Sequence, residues 1–425
     1  MRRAGEKNGN GQPDLRPTVR FPEFGEDGAW HTETIGEISE PIKEKVGEHK
    51  ITPVSITAGV GFVPQADKFG RDISGEQYKN YTYLRRGDFA YNKGNSKSFP
   101  QGYVCQLHEF DEVAASSAFI CFKLKDGYDP TFLKGLFDRN THGRQLAAHI
   151  TSGARSNGLL NLNASQFYGV QLPFPPNFEE QERIAECLAS IDALIEAETE
   201  KLEALRDHKQ GLMQQLFPTE GEDLPKRRFP EFANEGAWEE TRIDQLCKPF
   251  SGGTPPTSRD EYYGGEIPFI RSAEIALERT ELFLTPEGLT NSAAKLVAPG
   301  DVLIALYGAN SGEVAVSKIA GAINQAIICL QVGPDSEFVA QYWSHLKQWI
   351  VNTYIQGGQG NISGEIVKSI KLRMPRNPSE RLKVSKVLTA ADNLMESQEN
   401  RIERLRLHKL GLLQQLFPAL DEVDG

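Results

Sequence analysis

Residues 212–218 read LMQQLFP and residues 412–418 read LLQQLFP, 200 positions later. The match runs back through the preceding segments. At the same offset Glu180, Leu188, Asp192, Leu205, Arg206, His208 and Lys209 meet Glu380, Leu388, Asp392, Leu405, Arg406, His408 and Lys409. A second phrase opens each half, RFPEFGEDGAW at 20–30 and RFPEFANEGAW at 228–238. The chain is therefore a tandem duplication of about 200 residues per copy. That period is too long for a solenoid unit. Each copy reads as a globular domain followed by a long helix.

The helices carry the clearest pattern. In the first, Ile184, Ile191, Glu198, Leu205 and Leu212 form one seven-residue series, and Leu188, Ile195, Leu202, Lys209 and Leu216 another. The second has Val384, Ala391, Gln398, Leu405 and Leu412, with Leu388, Met395, Ile402, Lys409 and Leu416. These are the a and d seams of a coiled coil, with polar breaks at equivalent places. Prolines flank both helices, in PFPPN at 173–177, MPRNP at 374–378 and the closing LFP phrases. Proline is tolerated outside a helix and stops it. Residues 179–215 hold ten acids and four bases, whereas 379–415 hold five acids and seven bases. Opposite net charge on two apolar seams favours pairing of the helices with each other. At 1.5 Å rise per residue each helix is about 50 Å long.

Between these markers the composition is that of mixed α and β structure. Gly87–Ala90, Ala118–Leu124 and Gly169–Phe174 read as strands in the first copy, and Asp129–His149 as a helix. In the second, Asp301–Leu306, Ala326–Val332 and Ile366–Leu372 read as strands and Ser336–Tyr354 as a helix. A curved or barrel-like sheet is expected in each domain. The expected class is α+β: two mixed α/β domains separated by two long antiparallel coiled-coil helices. The boundaries are 1–19 (a flexible lead), 20–175 (first domain), 176–218 (first helix) and 219–237 (linker and start of the second repeat). They continue with 238–375 (second domain), 376–418 (second helix) and 419–425 (tail). Aspartate at both Leu188 and Leu388 is expected to loosen the helices and leave the domains folded.

Composition narrows the function. The 425 residues are 25% charged and 39% hydrophobic, ordinary for a soluble protein with two cores. Five scattered cysteines without a C-x-x-C suit a reducing cytoplasm rather than a zinc module or disulfide framework. The N-terminal MRRAGEKNGNGQPDLRP lacks the apolar core of a signal peptide, and no apolar run approaches a membrane span. The net charge of −11 argues against a uniformly basic surface. Most of that excess lies in the first long helix, so the domains can still present a local basic face.

Catalytic motifs are missing from the sequence. There is no N-P-P-[YF], P-loop, G-x-S-x-G, H-E-x-x-H or paired Cys/His ligand set. Pro334-Asp335 with Glu337 lacks the lysine of a nuclease acidic motif and reads as a loop capping a helix. His208 and His408 suit a helix C-terminus or, as the less favoured reading, a shared metal site. What remains is binding chemistry. YKNYTYLRRGDFAYNKGNSK (78–97) places Lys79, Arg85, Arg86, Lys93 and Lys97 among four tyrosines, with one acid. Bases neutralise phosphates and can read base edges in a groove. The alternative is a half-buried strand pair with solvated charges. The second copy offers SGGTPPTS (251–258) and QGGQGNIS (356–363), where Gln359 and Asn361 are candidate base contacts. Those glycines serve either close approach to a ligand or a tight turn.

These phrases resemble the DNA-specificity subunit of type I restriction-modification systems. The carrying residues are SGGTPPTSRDEYYGGEIPFIRSAEI (251–275), PGDVLIALYGANSG (299–312), GNISGEIVKSIKLRMP (360–375), RRGDFAYNKGNSKSFPQGYV (85–104) and FICFKLKD (119–126), with the two QQLFP helices. The likeness covers about 20–418. It implies two target-recognition domains, each reading one half of a split double-stranded DNA site, and adds Thr254 and Arg271 to the candidate contacts. It also implies two methyltransferase subunits docked along the helices, restriction (translocase/nuclease) subunits, and no catalytic residue or metal in this chain. S-adenosylmethionine, ATP and Mg belong to the partners. The first domain lacks the SGGTP opening, so that loop is not carried across. A stand-alone nucleic-acid enzyme and a two-domain scaffold that binds no DNA remain the alternatives.

Overall fold

The computed structural model describes residues 15–94, 99–150, 160–219, 221–354 and 361–420. Lys97 and Gln359 lie outside them. The chain falls into two compact units, Met1–Glu198 with Arg401–Gly425, and Thr199–Asn400. Each unit thus takes part of both long helices, which run Phe178–Leu216 and Pro378–Leu416.

The units share one topology. The first has a four-stranded sheet in the order Gly61–Pro64, Pro53–Thr57, Glu112–Ala115, Thr82–Arg85. Its second sheet is ordered Ser39–Pro41, Ile120–Leu124, Phe89–Asn92, Tyr103–Gln106. The second unit repeats this with Leu282–Leu284, Tyr263–Ile270, Gly321–Ile323, Lys295–Val297 and with Phe250–Ser251, Ile327–Leu330, Val302–Ala305, Val314–Val316. In both, one inner pair of the first sheet is parallel, Pro53–Thr57 with Glu112–Ala115 and Tyr263–Ile270 with Gly321–Ile323. Where one curved or barrel-like sheet is expected, each unit has two four-stranded sheets and a two-stranded one, His31–Thr34 with Gln171–Phe174 or Glu239–Arg242 with Lys371–Met374. Strand alternation explains the two larger ones. Phe89, Tyr91 and Phe122 join the helical core, whereas Ala90, Cys105 and Cys121 join a cluster with Val54, Leu84 and Ala115 of the other sheet. Small side chains on that inner face let the two sheets close on each other. In the second unit Val302 and Ile304 take the helical side and Leu303 and Ala305 the inter-sheet side.

Two local expectations are corrected. The segment Asp129–His149 is not one helix but two, Pro130–Asp138 and Thr141–Ala147. Asn140 breaks it in the left-handed region (φ 63°), which asparagine tolerates better than most residues. Ser336–Tyr354 is unbroken, as expected. Ile366–Leu372 is mostly helix, not strand: Gly364–Ser369 is helical and the strand is Lys371–Met374. The Ser363 hydroxyl accepts from the Ile366 amide at 3.2 Å and caps the turn.

The repeated phrases are explained by what they hold. Glu180 sits in the first turn of its helix, almost fully buried. It accepts from Arg20 Nε (2.8 Å), Arg20 Nη2 (2.6 Å) and Trp30 Nε1 (3.3 Å). Arg228 and Trp238 hold Glu380 in the same way, at 2.7, 2.7 and 3.2 Å. A bidentate arginine satisfies a carboxylate that would otherwise be costly to bury.

The helix seams meet within each unit. In the first, Lys409 bonds Asp192 (2.7 Å) and Arg401 bonds Glu198 (2.7 Å). In the second, Lys209 bonds Asp392 (2.6 Å) and Arg206 bonds Glu399 (2.8 Å). One index rises as the other falls, so the paired helix segments are antiparallel. Ile184, Leu188, Ile191, Leu202, Val384, Leu388 and Ile402 are buried, and Ile195, Leu205, Met395 and Leu405 half-buried. The polar breaks are thus paired positions. Burial works against the charge of Lys409, but Asp138 and Asp192 hold its pKa above the usual value.

The LFP phrases close the cores. Phe417 packs on Trp30 (6.3 Å between centroids) and Phe132 (5.1 Å) in the first unit. Phe217 stacks on Tyr342 (4.6 Å) and meets Phe338 (5.6 Å) in the second. Gly135 is required by this packing: a Cβ there would lie 2.8 Å from Leu188 Cδ1 and 2.9 Å from Phe417 Cζ. Leu188 and Leu388 belong to these cores. The expectation that aspartate there spares the domains is accordingly withdrawn.

Candidate nucleic-acid interface

In the second unit the candidate residues gather around one turn, Ile323–Ala326. Strand pairing sets Ile270 against Ile323, which brings Arg271 beside the turn. The Thr254 hydroxyl donates to Gln325 Oε1 at 2.6 Å. The Leu306 amide donates to the Ala326 carbonyl and the Ile362 amide to Leu306. The Gly308 amide donates to Asn361 Oδ1 at 3.2 Å. Thr254, Gln325 and Asn361 are exposed and Arg271 is half-buried.

The SGGTP glycines turn out to serve the chain itself. A Cβ at Gly252 would overlap the Ile323 carbonyl oxygen, and one at Gly253 would sit 2.5 Å from Ala293 Cβ. Close backbone packing therefore fixes where Thr254 stands. Arg271 is a brace. It bonds Glu274 through Nε (3.0 Å) and Nη2 (2.9 Å) and also reaches Glu281 (2.5 Å), and these bonds raise its pKa.

In the first unit the basic stretch is divided. Lys79 and Lys93 lie on the side equivalent to that turn: Thr82 pairs with Ala115, and Lys93 accepts from the Leu160 amide as Leu306 does from Ile362. Arg85 and Arg86 follow at the other end of their strand, where Arg85 pairs with Glu112 in register. Each base has an internal partner. Lys79 bonds Glu48 (2.6 Å), Arg85 bonds Glu44 (2.7 and 3.0 Å) and Arg86 bonds Asp111 (2.9 Å). Among the described residues Lys93 Nζ bonds the Leu162 carbonyl alone, at 3.4 Å. The Glu44 bond holds Arg85 above its usual pKa and Arg85 holds Glu44 below its own. Tyr78 bonds the backbone at His49 and Ile51, Tyr91 bonds Gln101, and Tyr81 is buried, so these rings are structural.

Gln325 escaped the sequence reading. Its signal is a polar Asn-Gln pair set between two apolar strands in GAINQAIICL (321–330). Among the described residues no group of three His, Cys, Asp or Glu side chains is placed to hold a metal. His208 and His408 are exposed. No helix of the described residues is long and apolar enough to cross a membrane.

The family model described as Type I restriction modification DNA specificity domain matches residues 71–207 and 235–406. A protein of Methanocaldococcus jannaschii, provisionally named type I restriction enzyme MjaX specificity subunit, is 28% identical over 266 residues. That alignment covers 60% of each chain. The MjaIX specificity subunit of the same organism is 26% identical over 192 residues, covering 42% of this chain and 44% of its own. This chain thus spans less than two thirds of the length of these relatives. Among solved structures, the type I restriction-modification S subunit from M. genitalium is similar with a TM-score of 0.58 and 16% identity over 95% of this chain and 99% of its own. A chain from a study of complex assembly and conformational transition of the type I R-M system gives 0.55 and 19%, covering 92% and 97%. These two likenesses show the shared fold. With both repeats matched by its model, the chain belongs to the type I restriction modification DNA specificity domain family.

Proposed function

We propose that this chain is the DNA-binding specificity subunit of a type I restriction-modification complex in the cytoplasm. The observation that carries the reading is a shared frame with unlike contact loops. The units have the same strand order and the same Glu–Arg–Trp anchor, yet differ around the turn at Ile323–Ala326 and its counterpart. Two scaffolds of one kind with different loops suit an asymmetric split site, one half per unit. The target-recognition domains are 20–175 and 238–375, and the helices 176–218 and 376–418. Lys79, Arg85, Arg86, Lys93, Thr254, Arg271 and Asn361 are the proposed contacts. Arg85 and Arg86 reach phosphates only by leaving their carboxylates.

Chemistry is assigned to partners: two methyltransferase subunits using S-adenosylmethionine, and restriction subunits using ATP and Mg. The purified chain alone is expected to bind a split DNA sequence with strong salt dependence and to turn nothing over. Adding a cognate methyltransferase subunit and S-adenosylmethionine is expected to yield adenine methylation at one bipartite motif. Methylation by the rigorously purified chain alone would falsify the reading.

A further inference from the structure

The pair Thr254–Gln325 is an exposed polar group held in place from four sides. The Thr254 hydroxyl donates to Gln325 Oε1 at 2.6 Å. Thr254 itself is set by the close-packed Gly252 and Gly253. The turn bearing Gln325 is set by Asn324, whose Oδ1 accepts from the Ala326 amide at 3.0 Å. Beside it the chain is set by Arg271, whose bonds to Glu274 and Glu281 hold both ends of the 271–281 loop. Both Thr254 and Gln325 face solvent. A long exposed side chain ordinarily samples several rotamers, and fixing it loses entropy. Here that loss is already met by the scaffold.

We infer that Gln325 is a specificity-determining residue that reads an adenine in the half-site of the second unit. The inference rests on the DNA-reading function proposed above. The chemistry is that of a planar amide. Glutamine matches adenine in the major groove through two parallel bonds, accepting from N6–H and donating to N7. Thr254 occupies one lone pair of Oε1, and its second lone pair and the Nε2 hydrogens remain for a base. The bond from Thr254 ties down the amide, whose oxygen and nitrogen then face one base together. Guanine offers an acceptor, O6, where this amide needs a donor. Thr254 is thus a positioning residue and Gln325 the reader.

The test uses the full chain and the bipartite duplex obtained by binding selection with it. Each adenine is replaced in turn by 7-deazaadenine, which removes the N7 acceptor and leaves the Watson–Crick face. The wild-type chain is expected to lose affinity, on the order of five- to 150-fold, at one adenine of one half-site. Gln325→Ala is expected to bind the natural duplex more weakly by a similar factor and to be indifferent to that replacement. Thr254→Val, which keeps the shape and loses the hydroxyl, is expected to show a partial loss at the same adenine. Responses at the other half-site report that each variant is folded. A replacement effect that persists undiminished in Gln325→Ala, or an unchanged affinity, overturns the role of Gln325 while leaving the proposed function standing. Failure of the wild-type chain to select any sequence overturns both.

Discussion

At the scale of single residues, His142 is held under unusual conditions. Its side chain is buried against Tyr91 and Phe137, with centroids 6.3 and 5.2 Å away. Among the described residues neither ring nitrogen has a hydrogen-bond partner, nor does the Thr141 hydroxyl. Burial pushes the imidazole down to about 4. In the unfolded chain it takes up a proton near pH 6.5. Between those values the unfolded state binds the extra proton, so stability falls as pH drops through that window. Below about 4 both states are protonated and the loss is complete. His142→Leu is expected to remove this acid sensitivity, worth on the order of 3 kcal/mol across the window. Denaturant titrations of both proteins at pH 7, 5.5 and 4.5 measure it, and parallel pH profiles would sink the idea. Nothing in the sequence announces this histidine. Its burial follows from the helix break at Asn140, which no local pattern encodes. Thr254 was legible because of the phrase around it, whereas Gln325 shows only once the sheet register sets it beside Thr254.

At the scale of elements, the long helices were the most legible part of the chain. A period of seven with repeated polar breaks survives in sequence because each position answers to one facing residue. What the period conceals is that a seam position can also be a core position. Leu188 is 2% exposed and, with Phe417, closes over Gly135. Leu188→Asp buries a carboxylate in the apolar cluster that holds Phe132, Leu136 and Phe417. The expected cost exceeds about 4 kcal/mol, the range of exceptional lesions. The cooperative unfolding transition of the first unit is expected to be lost. A variant that keeps that transition, and merely loosens the helices, would restore the simpler seam reading. The strands at Lys371–Met374 and Gln171–Phe174 were placed too early because short capped helices precede them. Asn163 and Ser363 are the caps, and helices of five and six residues carry too little periodicity to be seen.

At the scale of the whole molecule, the repeat was readable and the way its parts are shared was not. Sequence order suggests that each domain owns the helix that follows it. Instead, the last turn of the second helix completes the core of the first unit, and the last turn of the first helix that of the second. Such exchange leaves no trace in composition, because the LFP phrase is the same in both copies. Ending the chain after Gly411 removes Leu412, Leu413, Leu416 and Phe417 from the first unit's core. That unit is expected to lose protease protection around Phe132 and Trp30, while residues 221–354 stay protected. Equal protection of both units in the shortened chain would refute this dependence. The shared core also has a consequence for the living cell. A ribosome makes the first unit's sheets well before Arg401–Phe417, and about 200 residues of the other unit are synthesised between. At about 5–20 residues per second that interval is roughly 10–40 s. Throughout it the aromatic pocket of Trp30 and Phe132 stands open in the nascent chain, and the unit translated first is the last to finish folding.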